Sequence, residues 1–555
     1  MLRNHLSRIY LSYGLNHFTI DAPFRWLLEA FGLPESYVPR LEKLGEFVGR
    51  EFLELVDYID KSSPPLLQMW DVKGERLDWV HLNPAHRELL EALLRQGIIS
   101  ATFREQAPWQ FHYAAGYLIA DAGIYCTLTV TNQTVYALEK YGSPELRQKY
   151  LPRFLPEDDR EAWFGATFYT ETHAGSDLGA TTAEAVRENG EWRIYSRDKY
   201  FASNAGIADA ALITARPRGA PSGPKGLALF FVPAYLENGQ PNYIIRRLKD
   251  KLGTRAVPTG EVELEGALAY PLGKTDQGIY IALEVLTLAR IANSVAAMGL
   301  SRKAYLEALQ YTEHRMTFGK PLIAHPLIKK DLLEMEVLLE ANLALALKTV
   351  ALFNRCARLT PPYNADYHYA RFLGHITKNM TAEASALITR KAMELFGGIG
   401  FLEEFPIARW HREALVTPIW EGSSNIQALD MLEVMLKKQV HRQFFEEARQ
   451  ILKSLSDFPG TPALRQQLQR VEKQTEAILN GSLTLAQFRA KDLLTQLGHL
   501  ANPLALLEAA RAVSDQEAQE RFREIAALYI TQYLEHKSLP DGILQTIDEI
   551  IHFCR

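Results

Sequence analysis

The sequence predicts a mainly α-helical protein with a central β domain, and three changes of pattern carry that prediction. Up to about residue 165, apolar residues recur with the helical period, as in Leu41 to Tyr58 and Glu88 to Ile98. Between about 166 and 278 the chain turns to short β-rich runs separated by Gly, Pro and Asn. From Gln277 long helical patterns return, and Ile291, Val295, Met298, Tyr305 and Leu309 share one face of a single helix. The organisation this implies is an N-terminal helical domain at 1–165, a middle β domain at 166–278, a helical bundle at 279–440 and a C-terminal helical extension at 441–555.

Taken in order, Met1 to Ile20 carries Arg3 and Arg8 with no acid before Asp21, a faint likeness to a transit peptide without its cleavage pattern, and reads as an ordinary helix. Prolines 64, 65, 84, 108 and 144 punctuate the first region, and a further helix follows Gly123. In the middle region EWRIYSRD, ALITARP, LALFFVP, NYIIRRL and EVELEGAL read as strands, with Asn189-Gly190 as a hairpin turn. Beyond 440, amphipathic helices are expected to break at Pro459, Pro462, Gly481, Pro503 and Pro540. That segment holds 13 Lys and Arg against 15 Asp and Glu, which suits a docking or oligomer surface better than a nucleic-acid tail.

The composition limits the function classes. At 555 residues the chain exceeds one ordinary core and suggests three or four units. With 47% apolar and 23% charged residues and a net charge of −5, it has no general attraction for nucleic acid or anionic membrane. No run of about 18 uncharged apolar residues reads as a membrane span. Cys126, Cys356 and Cys554 form no CxxC pair, so neither a zinc site nor a disulfide framework is expected, and a reducing compartment such as the cytoplasm fits.

Four segments carry candidate chemistry. TETHAGSD (170–177) joins hydroxyls to Gly175, where backbone can approach a ligand closely. KYFASNAG (199–206) sets Phe201 two residues from Ser203, before the turn-forming Asn204. RMTFGKP (315–321) follows the long helix with a cation, a hydroxyl and an aromatic. Last come the glycine-rich FGGIGF (396–401) and PIWEGSSNIQ (418–427), in which Glu421 stands beside Gly422 and is framed by Trp420. A carboxylate held there in an apolar pocket has its pKa raised toward the working range of a general base that removes a weakly acidic C–H proton.

In this order, across about residues 120 to 435, the segments resemble the acyl-CoA dehydrogenase family of flavoproteins, whose patterns run close to TEPxAGSD, Trp-Ile-Thr-Asn, RxxFGxP-Q, Gly-Gly-x-Gly and acid-Gly-Thr/Ser. The resemblance implies an acyl-CoA dehydrogenase-like fold with a β-barrel-like middle domain and a four-helix bundle, FAD as cofactor, and a homo-oligomer, dimer or tetramer. It makes Glu421 the base that takes the α-proton of an acyl-CoA thioester. Gly422 and Arg290 then lie at the substrate, the thioester carbonyl being held by the Glu421 peptide N–H and the flavin ribityl chain, while the β-hydride passes to flavin N5. Thr170 and Ser203 would hydrogen-bond the isoalloxazine, Phe201 would pack on it in place of the usual Trp, and Ser176 would face the pyrophosphate. Arg315, Thr317 and Phe318 would bind FAD across a subunit interface, Gly397 and Gly398 would let its phosphates approach a helix N-terminus, and Ser423 and Asn425 complete the cofactor contacts. No metal is implied, and electrons would pass to an electron-transfer flavoprotein or similar acceptor.

The chain departs from the family pattern at Pro326, Glu394 and Thr172-His173, and a negative Glu394 is unfavourable near a pyrophosphate unless it turns away or pairs. LLQMWDVKGERLDWVHLNPAHREL and the C-terminal extension resemble the larger members, especially the alkylation-response subgroup; DNA binding is not implied by the slightly acidic extension. Two alternatives are an acyl-CoA oxidase, which shares fold, flavin and base, and a flavin-bound protective or scaffolding protein with vestigial activity. A mitochondrial setting would follow for a eukaryotic source.

Overall fold

The computed structural model describes residues 3–455 and 457–552. The chain divides into two compact units, one made of 1–53, 108–120 and 290–555, the other of 54–107 and 121–289. Cys554 lies outside the described residues, and Cys126 and Cys356 form no disulfide among the described residues.

The second unit is built on a closed sheet. Ala210–Pro217 pairs with Glu184–Glu188, then come Glu191–Ser203, Thr259–Pro271 and Ala228–Pro233, which pairs back with Ala210–Pro217. Closure is completed by short pairings, two residue pairs each between Glu184–Glu188 and Ala210–Pro217 and between Ala228–Pro233 and Thr259–Pro271, and reduces the exposed sheet edge. Gly165–Phe168 runs parallel to Ala210–Pro217, and Ile244–Leu248 flanks Thr259–Pro271. The interior is filled by Phe168, Ile194, Ile213, Phe230 and Val262 with alanines between them, the alternation expected of strands with one buried face. Asn189 and Gly190 both take positive φ, 50° and 87°, and turn the Glu184–Glu188 strand onto Glu191–Ser203 as the sequence predicts. Around this sheet the same unit holds the helices Pro84–Arg95, Ile124–Tyr141 and Pro144–Phe154.

One feature of the N-terminal region departs from a helical reading. Leu66–Trp70 and Arg76–His81 pair as an antiparallel hairpin, which the helical texture around them concealed because each strand is only five or six residues long. The periodic stretch from Leu41 to Tyr58 is helical throughout, as its spacing predicts, with one irregularity. Val38–Phe47 and Leu53–Ser62 are separated by a π-turn at Val48–Phe52, where Gly14 N–H donates to the Gly49 carbonyl at 2.8 Å and draws it from the helical ladder.

The first unit is helical. Gly278–His314 runs 37 residues and enters this unit at Arg290, followed by Pro326–Cys356, Ala365–Phe396, Pro406–Val416 and Ser424–Lys438. Ile291, Val295, Met298, Tyr305 and Leu309 are all buried, as their spacing predicts. Gly278–His314 is also long and apolar enough by composition to cross a membrane, but 83% of its most apolar window is buried inside the protein, as in a core helix.

The C-terminal residues add His441–Lys453, Thr461–Leu479, Leu483–Ala512 and Gln516–Tyr529 to the same unit. Pro503 does not break its helix. Leu497, Leu500, Leu504 and Leu507 are buried on either side of it, and that burial outweighs the roughly 3 kcal/mol an interior proline costs. A buried ionic chain fastens the extension: Arg521 pairs with Glu340 and reaches Glu336 at 3.4 Å, and Arg302 pairs with Glu336 at 2.6 Å and Asp21 at 3.0 Å.

Candidate active site

Glu421 ends the turn that follows Pro406–Val416 and precedes Ser424–Lys438. Its φ is +58° and that of Gly422 +95°, so the carboxylate-bearing residue is held in the left-handed region that side chains rarely adopt. A Cβ on residue 422 would lie 2.8 Å from Gln427 Nε2 and push that amide aside, while the positive φ itself calls for glycine.

Three side chains from three helices hold this turn by its carbonyls. Arg290 Nε donates to the Glu421 carbonyl at 3.0 Å. Gln427 Nε2 donates to the carbonyls of Glu421 and Gly422 at 3.0 and 2.9 Å. Lys378 Nζ donates to the Gly422 carbonyl at 2.8 Å. Behind them Arg290 pairs with Asp430 at 2.8 Å, and His375 Nδ1 meets Gln427 Oε1 at 2.9 Å. Burial and the Arg290 charge push His375 down to about 3, so its imidazole is neutral. Trp420 is fixed by its indole N–H to Asn293, whose amide donates to the Thr417 carbonyl at 3.1 Å.

The Glu421 carboxylate itself accepts no hydrogen bond among the described residues. Burial pushes its pKa up to about 7, against the opposing charges of Arg290 and Lys378. A carboxylate with an elevated pKa and free oxygens, on a backbone fixed by three donors, is equipped to take up a proton near neutral pH.

A second set of predicted residues lies in the other unit. Tyr200 N–H donates to the Thr170 carbonyl at 2.8 Å and ties the loop 170–177 to the Glu191–Ser203 strand. Phe201 and Ser203 alternate with buried Ala202, so both face the same side, and Phe201 is half-exposed. Lys249 Nζ stands 4.7 Å from the Phe201 ring centre. Among the described residues the hydroxyls of Thr170, Ser176 and Ser203 have no partner within the protein.

Beneath the loop, the fully buried Lys199 binds Glu171 at 2.8 Å and the Thr214 carbonyl at 2.9 Å. Burial raises the Glu171 pKa, but Lys199 and the Thr181 and Thr182 donors overcome it and hold the carboxyl at about 2. Glu171, His173 and Asp198 also bring one potential ligand atom each within 4.8 Å of one another, but the Glu171 carboxylate is already committed to Lys199.

The remaining candidates fall on turns. Phe318 and Gly319, with φ of 49° and 79°, form a tight hairpin that places Phe318, 97% exposed, at its tip. Arg315 is exposed, and Thr317 Oγ1 lies 3.1 Å from His325 Nε2. Pro326 opens the next helix, where its missing N–H costs nothing. Glu394 is paired with Arg390 at 2.9 Å, which relieves the charge that its position raises.

Gly397 and Gly398 open only a short 3-10 helix, Gly397–Phe401, at the point where the long helix ends. Gly397, at φ +63°, terminates Ala365–Phe396, because a left-handed residue ends an α-helix and glycine takes that conformation without cost. Ser423 stands at the N-cap of Ser424–Lys438, and Asn425 is exposed in its first turn.

Sequence reasoning missed Lys378, His375, Gln427, Asn293, Lys199 and Glu171. For Lys378 and His375 the available signal was polar residues, in GHITKNMT, at core-facing positions of an otherwise apolar helix.

Three family models match in register: the AidB N-terminal domain of adaptive response proteins over residues 12–158, the acyl-CoA dehydrogenase middle domain over 166–267 and its C-terminal domain over 276–436. AidB of Escherichia coli (strain K12) is 31% identical over 414 residues, covering 72% of this chain and 74% of that protein. The chain belongs to the acyl-CoA dehydrogenase family. Its likeness to AidB and the AidB-type N-terminal domain place it with the alkylation-response subgroup. The structure is similar to the apo-form of Bd2924, with a TM-score of 0.81 and 28% identity, covering 89% of this chain and 98% of that one. It also shares the fold of Caenorhabditis elegans ACDH-11 in complex with C11-CoA, with a TM-score of 0.84 and 24% identity over 96% and 94% of the two chains.

An acyl-CoA dehydrogenase is an oxidoreductase acting on CH–CH groups, and its cofactor is FAD. The residues present fit that cofactor. A half-exposed aromatic, flanked on its strand and the adjoining loop by three uncommitted hydroxyls, offers a flat apolar surface with donors to ring carbonyls and phosphate oxygens.

Proposed function

We propose that the protein performs the α,β-dehydrogenation of an acyl-CoA thioester, with Glu421 removing the α-proton. The observation that carries this reading is the Glu421 carboxyl: partly buried, free of hydrogen bonds among the described residues, raised to about 7, and fixed on a left-handed backbone by Arg290, Gln427 and Lys378. Such a group costs stability, and strained, desolvated acids concentrate at reacting centres.

The Glu421 peptide N–H holds the thioester carbonyl, so negative charge developing on that oxygen as the α-proton leaves is stabilised by a donor already in place. Bound FAD supplies the two-electron acceptor for the β-hydrogen. Thr170 and Ser203 hold the flavin ring, Phe201 packs on it, and Ser176 serves its phosphates, with Ser423 and Asn425 as further contacts. Arg315, Thr317 and Phe318 serve a neighbouring subunit in a homo-oligomer, and electrons leave to an electron-transfer flavoprotein or similar acceptor.

The test is anaerobic bleaching of flavin absorbance by a panel of short, medium, long and branched acyl-CoAs. Bleaching by one class, lowered by a factor on the order of 10² to 10⁴ in Glu421→Gln with FAD content retained, supports the reading. Unchanged bleaching in that variant overturns the base, and a yellow protein that no acyl-CoA bleaches overturns the substrate.

A further inference from the structure

Lys378 is fully buried in the middle of Ala365–Phe396. An ammonium is expensive to remove from water, and buried lysines ordinarily spend their donors on charged partners. Here one N–H goes to the Gly422 carbonyl at 2.8 Å, and among the described residues the other two have no hydrogen-bond partner and no ion pair closes on it. Structural need alone does not account for this. Arg290 and Gln427 already hold the Glu421 carbonyl, and a methionine would fill the same volume at no desolvation cost.

We propose that Lys378 is a positioning residue for the Glu421 base: its hydrogen bond to the Gly422 carbonyl locks the left-handed Glu421–Gly422 turn, and its ammonium supplies one of the two positive charges that act on the carboxylate. The inference rests on Glu421 being the base. Gly422 follows the catalytic position directly, so a donor on its carbonyl fixes the peptide plane beyond the base, while Arg290 fixes the plane between residues 421 and 422. Gln427 Nε2 shares both carbonyls, so loss of Lys378 leaves the Gly422 carbonyl on that one divided donor, and the turn that keeps φ of Glu421 at +58° is held less tightly. A displacement of about 1 Å at a reacting group costs rate by as much as about 100-fold.

The charges around the pair are few. Glu421 feels Arg290 from Gly278–His314 and Lys378 from Ala365–Phe396. Lys378 is pushed down to about 7 by burial, with Glu421 and Glu383 raising it and Arg290 lowering it. Asp430 of Ser424–Lys438 is taken up by Arg290, and His375 is neutral. A positive charge beside a carboxylate lowers its pKa, so removing Lys378 moves the base's ionisation to higher pH.

The experiment compares FAD-loaded wild type with Lys378→Met, Lys378→Gln and Glu421→Gln. The Glu421 carboxyl band in the infrared, assigned by its loss in Glu421→Gln, is titrated, and acyl-CoA bleaching is followed against pH. The expected result for Lys378→Met is a carboxyl midpoint and acidic rate limb both displaced to higher pH, with kcat lowered about tenfold or more and KM little changed. Lys378→Gln keeps a donor for the Gly422 carbonyl but no charge, so it recovers kcat while the midpoint stays displaced. If Lys378→Met fails to fold, the midpoint in Lys378→Gln decides. A wild-type midpoint in the variants overturns the role of Lys378 and leaves the base standing, whereas full turnover in Glu421→Gln overturns the base itself.

Discussion

Arg290 Nε donates to the main-chain carbonyl of Glu421 at 3.0 Å while its Nη2 pairs with Asp430 at 2.8 Å, so one guanidinium both holds the base's backbone and is itself held. A lysine presents its donors from one nitrogen rather than from separate atoms of a planar fork, so it cannot reproduce both bonds in this geometry. Arg290→Lys should lower kcat about 10-fold or more with FAD content unchanged. Arg290→Ala, which leaves Asp430 without its cation in a largely buried setting, should cost about 3 kcal/mol in urea unfolding. A wild-type kcat in Arg290→Lys would show that the fork is dispensable.

The pH dependence follows from the same carboxyl. The base must be ionised to accept a proton, and burial holds it protonated up to about pH 7. The rate limb of kcat/KM should therefore rise with pH through about 7 and level off above it, where an ordinary glutamate would already be ionised below pH 5. Removing the Arg290 charge should move that limb upward. Stopped-flow bleaching across the range checks both.

Lys199 and Glu171 are both fully buried, and the pair underlies the loop that carries Thr170 and Ser176. Lys199→Met strands a buried carboxylate, for which a loss of about 3 to 5 kcal/mol is expected, accompanied by weaker FAD retention. Glu171 is depressed to about 2 in the folded protein. It therefore adds stability above the unfolded carboxyl's pKa, and that contribution disappears as pH falls from there toward 2. In Lys199→Met that pH-dependent part of the acid unfolding curve should shrink.

Arg315 is exposed beside the Phe318 hairpin tip. Arg315→Ala should leave monomer stability within about 0.5 kcal/mol, as exposed substitutions do, while lowering flavin content or native size. Absorbance ratios and light scattering measure these, and full flavin with unchanged mass would remove Arg315 from the interface.

Arg521 fastens the C-terminal helices through Glu336 and Glu340. Burial raises the Glu340 pKa even with Arg521 beside it, and Glu336 raises it further. Arg521→Met should destabilise the unit by about 3 to 5 kcal/mol, read as a lower urea midpoint. Truncation near residue 440 should then yield an aggregating protein, since it exposes the buried faces of Pro326–Cys356.

The chain's own pattern determined the order of helical and β segments, because the periods of 3.6 and 2 are local consequences of side-chain direction. It likewise determined the turn at Asn189-Gly190 and the candidacy of Glu421, whose glycine neighbour marks a position that needs left-handed backbone. Tertiary structure decided what local signals cannot carry. Pro503 stays within a helix because burial outweighs its local cost, and Gly397 both ends one helix and opens a short 3-10 turn, a junction that local pattern alone does not place. The environment of Glu421 was settled in the same way. Arg290, Lys378 and Gln427 lie 131, 43 and 6 residues from it in sequence, and only folding brings their donors onto one turn, where desolvation and charge set the acidity of the base.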